Sequence, residues 1–280
     1  MKMRRTIITL FAIFAAIGAS AGTVTKSFNN LAEFSGIQIS DSFKARLVQG
    51  DEFTAVVSID SALEEFLEVN VIGSILYVRL KERDLNTTIR NIAKRKMEVT
   101  VTCPSLSQIH LTGASSLTSS DKWVSPMGVF TFETSGAASA KKLRIEGSEL
   151  RATISGASDA GITGDFETVE ISASGAAGLF LIGDHTEISA NLSGASKVSL
   201  MGSADTIDAT CSGTAFLDAL EFKVGEAAIE CGGASKANIN VNEKLTVELT
   251  GASSCRYRSG NESLNVVPSV SRASSLKRVR

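Results

Sequence analysis

Along the C-terminal two-thirds of the chain, apolar and polar positions alternate in short bursts that meet at one punctuation mark, a Gly-Ala-small tripeptide. The glycine recurs at Gly113, Gly136, Gly156, Gly175, Gly194, Gly213 (here Gly-Thr-Ala), Gly233 and Gly251, at intervals of 23, 20, 19, 19, 19, 20 and 18 residues. Arg272-Ala273-Ser274, 21 residues further on, reads as a ninth copy that has lost its glycine. Self-similarity at so short a period is the mark of a solenoid.

Alignment on the glycine separates the faces. Two residues before it stand Leu111, Thr134, Ile154, Ala173, Leu192, Cys211, Cys231, Leu249 and Val270, and four before it Ile109, Phe132, Ala152, Ile171, Ala190, Ala209, Ile229 and Val247. Polar residues fill the position between, and a period of two is that of a strand with one buried face. A second apolar pair follows the glycine at four and six residues on, as in Ala160 with Ile162, Leu179 with Leu181, and Val198 with Leu200. Another turn falls near Gly164, Gly183 and Gly202. Each repeat is then one coil of two or three short strands, and the class is all-β: a parallel β-helix of about nine coils over residues 101–280. Its crossovers are expected to be right-handed, because twisted strands favour that sense. Nineteen residues at roughly 3.3 Å each give a perimeter of about 63 Å. Glycine suits a sharp corner that needs positive φ, and the alanine after it is expected to fill the tight inside of that corner, so Ala195→Leu is expected to overpack. The hydroxyls just before the glycine, Ser155 and Ser174 among them, are expected to form an outward ladder.

Residues 22–100 lack the repeat and read as a β-rich segment that caps the solenoid or continues into it. Strand-like runs cover Ile37–Val48, Phe53–Ile59, Leu67–Ile72, Ile75–Leu80 and Met97–Cys103, with a turn at Gln49-Gly50-Asp51, a short helical turn over Ser61–Glu68 and a solvated loop over Lys81–Lys96. Residues 1–21 read as a cleavable signal peptide: Lys2, Arg4 and Arg5 precede an apolar run, and Ala19-Ser20-Ala21 supplies a small-x-small cleavage site. No later run is long and apolar enough to span a bilayer as a helix, so the exported chain is expected to have no transmembrane segment.

Phe34-Ser35-Gly36-Ile37, then Phe43-Lys44-Ala45-Arg46-Leu47-Val48-Gln49-Gly50-Asp51, followed by serial Ser-Gly-Ala-Ser corners, resembles the auto-transporter adhesin head (GIN domain) family over about residues 30–275. The resemblance implies a β-helical protein of the cell envelope or exterior, of a kind common in Bacteroidetes, and carries no catalytic residues across. It departs from the name in one respect: no translocating β-barrel is expected after the repeats.

Charge and chemistry narrow the function further. The net charge of −2 becomes −5 once the three basic residues of the leader are gone, which argues against a nucleic-acid partner. Carbohydrate-cleaving β-helices gather carboxylates with Arg or Lys in one place. Here the outward acids are scattered, Glu230 and Glu248 share a column as two solvated carboxylates, and His110 and His185 do not converge. No catalytic residue, metal site or cofactor is therefore expected. The four cysteines lack zinc spacing; they read as small core residues, and if a disulfide forms, Cys211 and Cys231 are the pair one coil apart. Phe180 and Phe216 fall in outward columns with Lys197 and Lys236 near them, and this aromatic and basic patch is the candidate binding surface. Three functions compete: a non-catalytic adhesin or scaffold that meets a glycan or an envelope protein, a carbohydrate-active lyase or hydrolase on the same fold, and a structural protein that self-associates through its coil ends.

Overall fold

The computed structural model describes residues 22–81 and 95–279. The proposed signal peptide, 1–21, and most of the loop between Lys81 and Lys96 lie outside the described residues. The repeats form a β-solenoid of about nine turns with a period near 20 residues. Strands before the corner glycine stack in parallel register, Ile154 on Ala173, Ala173 on Leu192, Leu192 on Cys211 and Cys211 on Cys231. Strands after it do the same, Ala160 on Leu179, Leu179 on Val198 and Val198 on Leu217. The two inward columns before the glycine are buried from Ile109 and Leu111 through Val247 and Leu249, and they form one continuous core with the columns after it. Trp123, the only tryptophan, belongs to this core and donates its indole N–H to Ser119 Oγ at 2.9 Å.

The corners are ordered by a ladder of their own. The N–H after each glycine donates to the carbonyl of the previous corner glycine, for example Ala157 to Gly136, Ala176 to Gly156 and Ala195 to Gly175, each at 2.7 Å. At Gly156, φ is +74°, and a Cβ would lie 2.4 Å from the Gly136 oxygen. Both the torsion and the close approach therefore require glycine.

The inside of the corner is not filled by the alanine that follows the glycine. The alanine at the next position, Ala195 among others, is exposed, and the residue after that is buried: Ala138, Ser158, Ala177, Ser196, Ala215, Ser235 and Ser253. The even parity that buries positions two and four before the glycine runs straight through the turn to positions two, four and six after it, which leaves the alanine at the outer tip. Several of these buried serines satisfy their hydroxyls on backbone carbonyls, as Ser235 does on Cys211 O and Ser253 on Cys231 O, both at 3.0 Å.

The first coil starts earlier than the glycines indicate. We number β1 Thr23–Phe28, β2 Gly36–Ile39, β3 Lys44–Gln49, β4 Thr54–Asp60, β5 Leu67–Ile72, β6 Ile75–Leu80, β7 Met97–Cys103, β8 Gln108–Leu111 and β9 Ser116–Ser119. The run expected as one strand over Ile37–Val48 is two, β2 and β3, broken at Asp41, which takes φ 62°. Asp41 is the corner before Gly113: Ala114 N–H donates to its carbonyl, β2 pairs with β8 and β3 with β9. Aspartate tolerates the left-handed region better than most side chains, and its carboxylate accepts the Leu80 N–H at 2.8 Å.

Between these first two coils the chain makes an excursion that covers the end of the rod. β6 lies parallel on β2 and carries β5 antiparallel beyond it, while β7 lies parallel on β3 with β4 and then β1 antiparallel beyond. Antiparallel strands thus replace the open edge that a bare coil would present. At the other end the last coil is more exposed, with Val267 and Val270 on the surface. There Arg272 replaces glycine, and the Gly251 carbonyl accepts from Ser274 Oγ at 3.2 Å.

Candidate functional site

The outer face after the corner carries the patch read from the sequence. Three residues past each glycine, the register runs Asp159, Gly178, Lys197, Phe216, Lys236, so Lys197, Phe216 and Lys236 sit on successive coils. Lys197 Nζ stands 5.5 Å from the centre of the Phe216 ring, a cation–π contact. Phe180 occupies the column two residues on, between Gly161 and Ser199, diagonal to Lys197. Phe180 is 41% exposed, whereas Phe216 is half-buried. The four residues divide between two open grooves on this face. Phe180 and Lys197 line a larger one of about 840 Å3, and Phe216 and Lys236 line a smaller one of about 660 Å3.

The larger groove also holds residues that the columns did not single out. Between Ala140 and Leu143 the strand Ser139–Glu146 carries a β-bulge, with Lys142 at φ 61°. The extra residue turns both Lys141 and Lys142 outward, and Arg144 follows on the same side. A strained bulge that aims side chains is a recurrent device at binding surfaces. The signal in the sequence is slight, a lysine pair inside a repeat of 20 residues that is followed by three of 19.

The remaining titratable groups take other places. Glu230 and Glu248 are paired in register and exposed. His110 faces Glu133, Nδ1 to Oε2 at 3.8 Å. His185 lies inside the second bend, its ring stacked on Phe166 at 5.8 Å and tilted against Phe222 at 6.1 Å. Burial pushes its pKa below the usual imidazole value, against the opposing pull of Asp165, the Phe166 backbone and Asp184. Above the ordinary imidazole pKa of about 6.5 the ring is neutral folded or unfolded; below it the unfolded chain takes up a proton that the folded chain resists. The fold is therefore expected to lose stability as the pH falls through and below that value. Urea melts at several pH values should show a shallower loss for His185→Phe than for the parent, and an unchanged slope would refute the assignment.

All four cysteines are free and buried. Cys211 and Cys231 do lie in register one coil apart, as thiols rather than as a bridge. The hydrogen bond with Cys231 and then burial hold the Cys211 thiol well above its ordinary pKa. Burial alone pushes Cys103 up to about 12, and burial with Cys231 nearby does the same for Cys255. A thiol reagent is expected to label the native protein slowly and to find all four thiols after unfolding in denaturant; recovery of only two would reveal a disulfide.

Among the described residues no group of three or more His, Cys, Asp or Glu is arranged to hold a metal ion, and no helix is long and apolar enough to cross a membrane.

The sequence matches the model of a family described as "Putative auto-transporter adhesin, head GIN domain" over residues 33–184 and 180–261. Several solved structures share the fold. A protein from Parabacteroides distasonis described as a "putative lipid binding protein" is 13% identical with a TM-score of 0.66, the alignment covering 93% of this chain and 98% of that one. A "putative adhesin" from Parabacteroides merdae is 14% identical, TM-score 0.65, covering 93% and 97%. A second "putative adhesin" from P. distasonis is 14% identical, TM-score 0.60, covering 92% and 97%. At these identities the likeness is one of fold. No curated protein matches the chain at a significant level.

Proposed function

The chain belongs to the auto-transporter adhesin head GIN domain family, and from that premise we propose that it is an exported, non-catalytic interaction protein of the cell envelope that binds a glycan on the outer face after the corner glycines. The observation that carries this reading is the alignment of Phe180, Lys197, Phe216 and Lys236 along two neighbouring grooves of one face. Exposed aromatic rings offer flat apolar surface to a sugar ring, and cations beside them supply polar recognition. The two grooves do not support a reaction of the glycosidase type, which needs two carboxyl groups facing each other across a bond: Asp159 is the one carboxylate that lines either of them, and Glu230 and Glu248 lie side by side before the corner. Export rests on the leader-like residues 1–21.

The test is a glycan-array screen of the purified protein, with polysaccharide degradation measured on the same material. Binding without cleavage is the expected result, and it should weaken in Phe180→Ala. Cleavage would overturn the non-catalytic reading. Silence on every glycan would overturn the glycan reading and direct attention to a protein partner or to self-association.

A further inference from the structure

We infer that the larger groove is a binding site for an acidic polysaccharide, one that carries carboxylate or sulfate groups at intervals along its chain. This inference rests on the proposed glycan-binding role and narrows its ligand class. The groove crosses four coils. At one end the bulge presents Lys141 and Lys142, with Arg144 beside them; at the other end stands Lys197. Three steps of roughly 4.8 Å separate the two groups along the rod, so positive charge recurs at about 14 Å. Among the described residues Lys141, Lys142 and Arg144 form no ion pair with an acidic side chain. The one carboxylate in the groove, Asp159, is exposed, and a Cβ on Gly178 would lie 2.4 Å from its Oδ1. Three unpaired cations on one rim of an acidic protein make a local attraction for anions that the net charge conceals.

The strip between the charged ends is low at its centre, where two glycines stand among Asp159, Thr163, Phe180 and Ile182. Gly161 and Gly178 follow one another in adjacent columns of successive coils, and the exposed alanines at the corner tips, Ala176 and Ala195, border it. Phe180 rises next to Gly161 in register, so its ring has an open space alongside. A flat floor with an aromatic edge accepts a sugar ring by its face. A peptide strand finds less here, because strand addition needs a free sheet edge, and the backbone N–H and C=O groups of this strip already bond between coils. Two charged ends along a rod suit a polymer with repeated charges rather than a single head group.

The experiment is calorimetric titration of the full protein with four probes: a galacturonan hexasaccharide, a heparin hexasaccharide, neutral cellohexaose, and phosphatidylcholine vesicles containing phosphatidylglycerol. At least one acidic oligosaccharide is expected to bind and to weaken with added salt, while cellohexaose does not bind. The double variant Lys141→Glu, Lys142→Glu is expected to lose about tenfold or more in affinity, and Lys223→Glu, exposed outside both grooves, to change little. Thermal melts of the variants should match the parent, since the altered side chains are exposed. The inference fails if neither acidic oligosaccharide binds, if cellohexaose binds as well as they do, if only the vesicles bind, or if the double variant binds as the parent does. Neutral glycans binding on the array while both acidic probes fail would sink this ligand class and leave the broader glycan reading standing. Silence on the array and in the titrations would sink both.

Discussion

Gly156→Ala is expected to lower the unfolding free energy by about 2–4 kcal/mol, from left-handed backbone strain plus overpacking. The first contribution follows from φ +74°, a region that an L side chain enters only at a cost of roughly 1–2 kcal/mol. The second follows from the corner ladder, because the new Cβ would lie 2.4 Å from the Gly136 carbonyl oxygen and 2.9 Å from its nitrogen. Neither neighbour can give way without moving the coil beneath, since the Gly136 carbonyl already accepts the Ala157 N–H. Gly73→Ala separates the two contributions: it has φ +58° and nothing within 4 Å of the added atom, so it should lose only about 1 kcal/mol. Equal losses for the two variants in urea melts would show that stacking of the corners adds nothing to the requirement for glycine.

The second large effect is expected from a pair of neighbours. Ser196→Leu should cost about 1–3 kcal/mol by forcing extra atoms into a filled space, whereas Ala195→Leu should leave the melting temperature nearly unchanged. Ser196 is 1% exposed, and its column continues through the buried Ala177 and Ala215 on either side. Ala195 sits one residue away at the exposed tip of the turn. The reverse order of effects would mean that the parity of the strand changes at the glycine and that the buried corner belongs to the alanine.

Much of the solenoid is legible in the sequence because its information is local. A period of two names the inward side of each strand, and a glycine at a steady interval names a bend that needs positive φ. Ile171 with Ala173 and Ala190 with Leu192 could be placed in the core without any knowledge of their neighbours. The corner misleads for a local reason too: alanine is small and apolar in nearly every repeat, which imitates burial, whereas serine at the next position imitates a surface turn. Continuity of parity decides otherwise, and Ser235 and Ser253 satisfy their hydroxyls on the buried carbonyls of Cys211 and Cys231. Asp41 is not legible as a corner because it is not a glycine and because 72 residues separate it from Gly113.

The candidate site was half legible. Phe180, Phe216, Lys197 and Lys236 follow from column arithmetic, since outward positions of a regular coil can be counted. The lysine pair at Lys141 and Lys142 breaks that count, because a bulge inserts a residue and so sends two neighbours to the same side. The groove itself is assembled from four coils, with its cations at the ends and its glycines between, and stretches of sequence some 20 residues apart become adjacent only when the strands stack.

The repeating unit, its inward columns and its glycine corners follow from consecutive residues alone, because alternation and backbone torsion are properties of a few neighbours. Stacking of the coils settled what lies beside what. It closed the N-terminal edge with antiparallel strands, buried the second residue after each glycine, packed His185 between two phenylalanine rings and set three cations opposite Lys197 across a strip with glycines at its centre. Those features depend on the register between coils, which is set by the packing of the whole rod and the interruptions in it, and no single repeat contains that information.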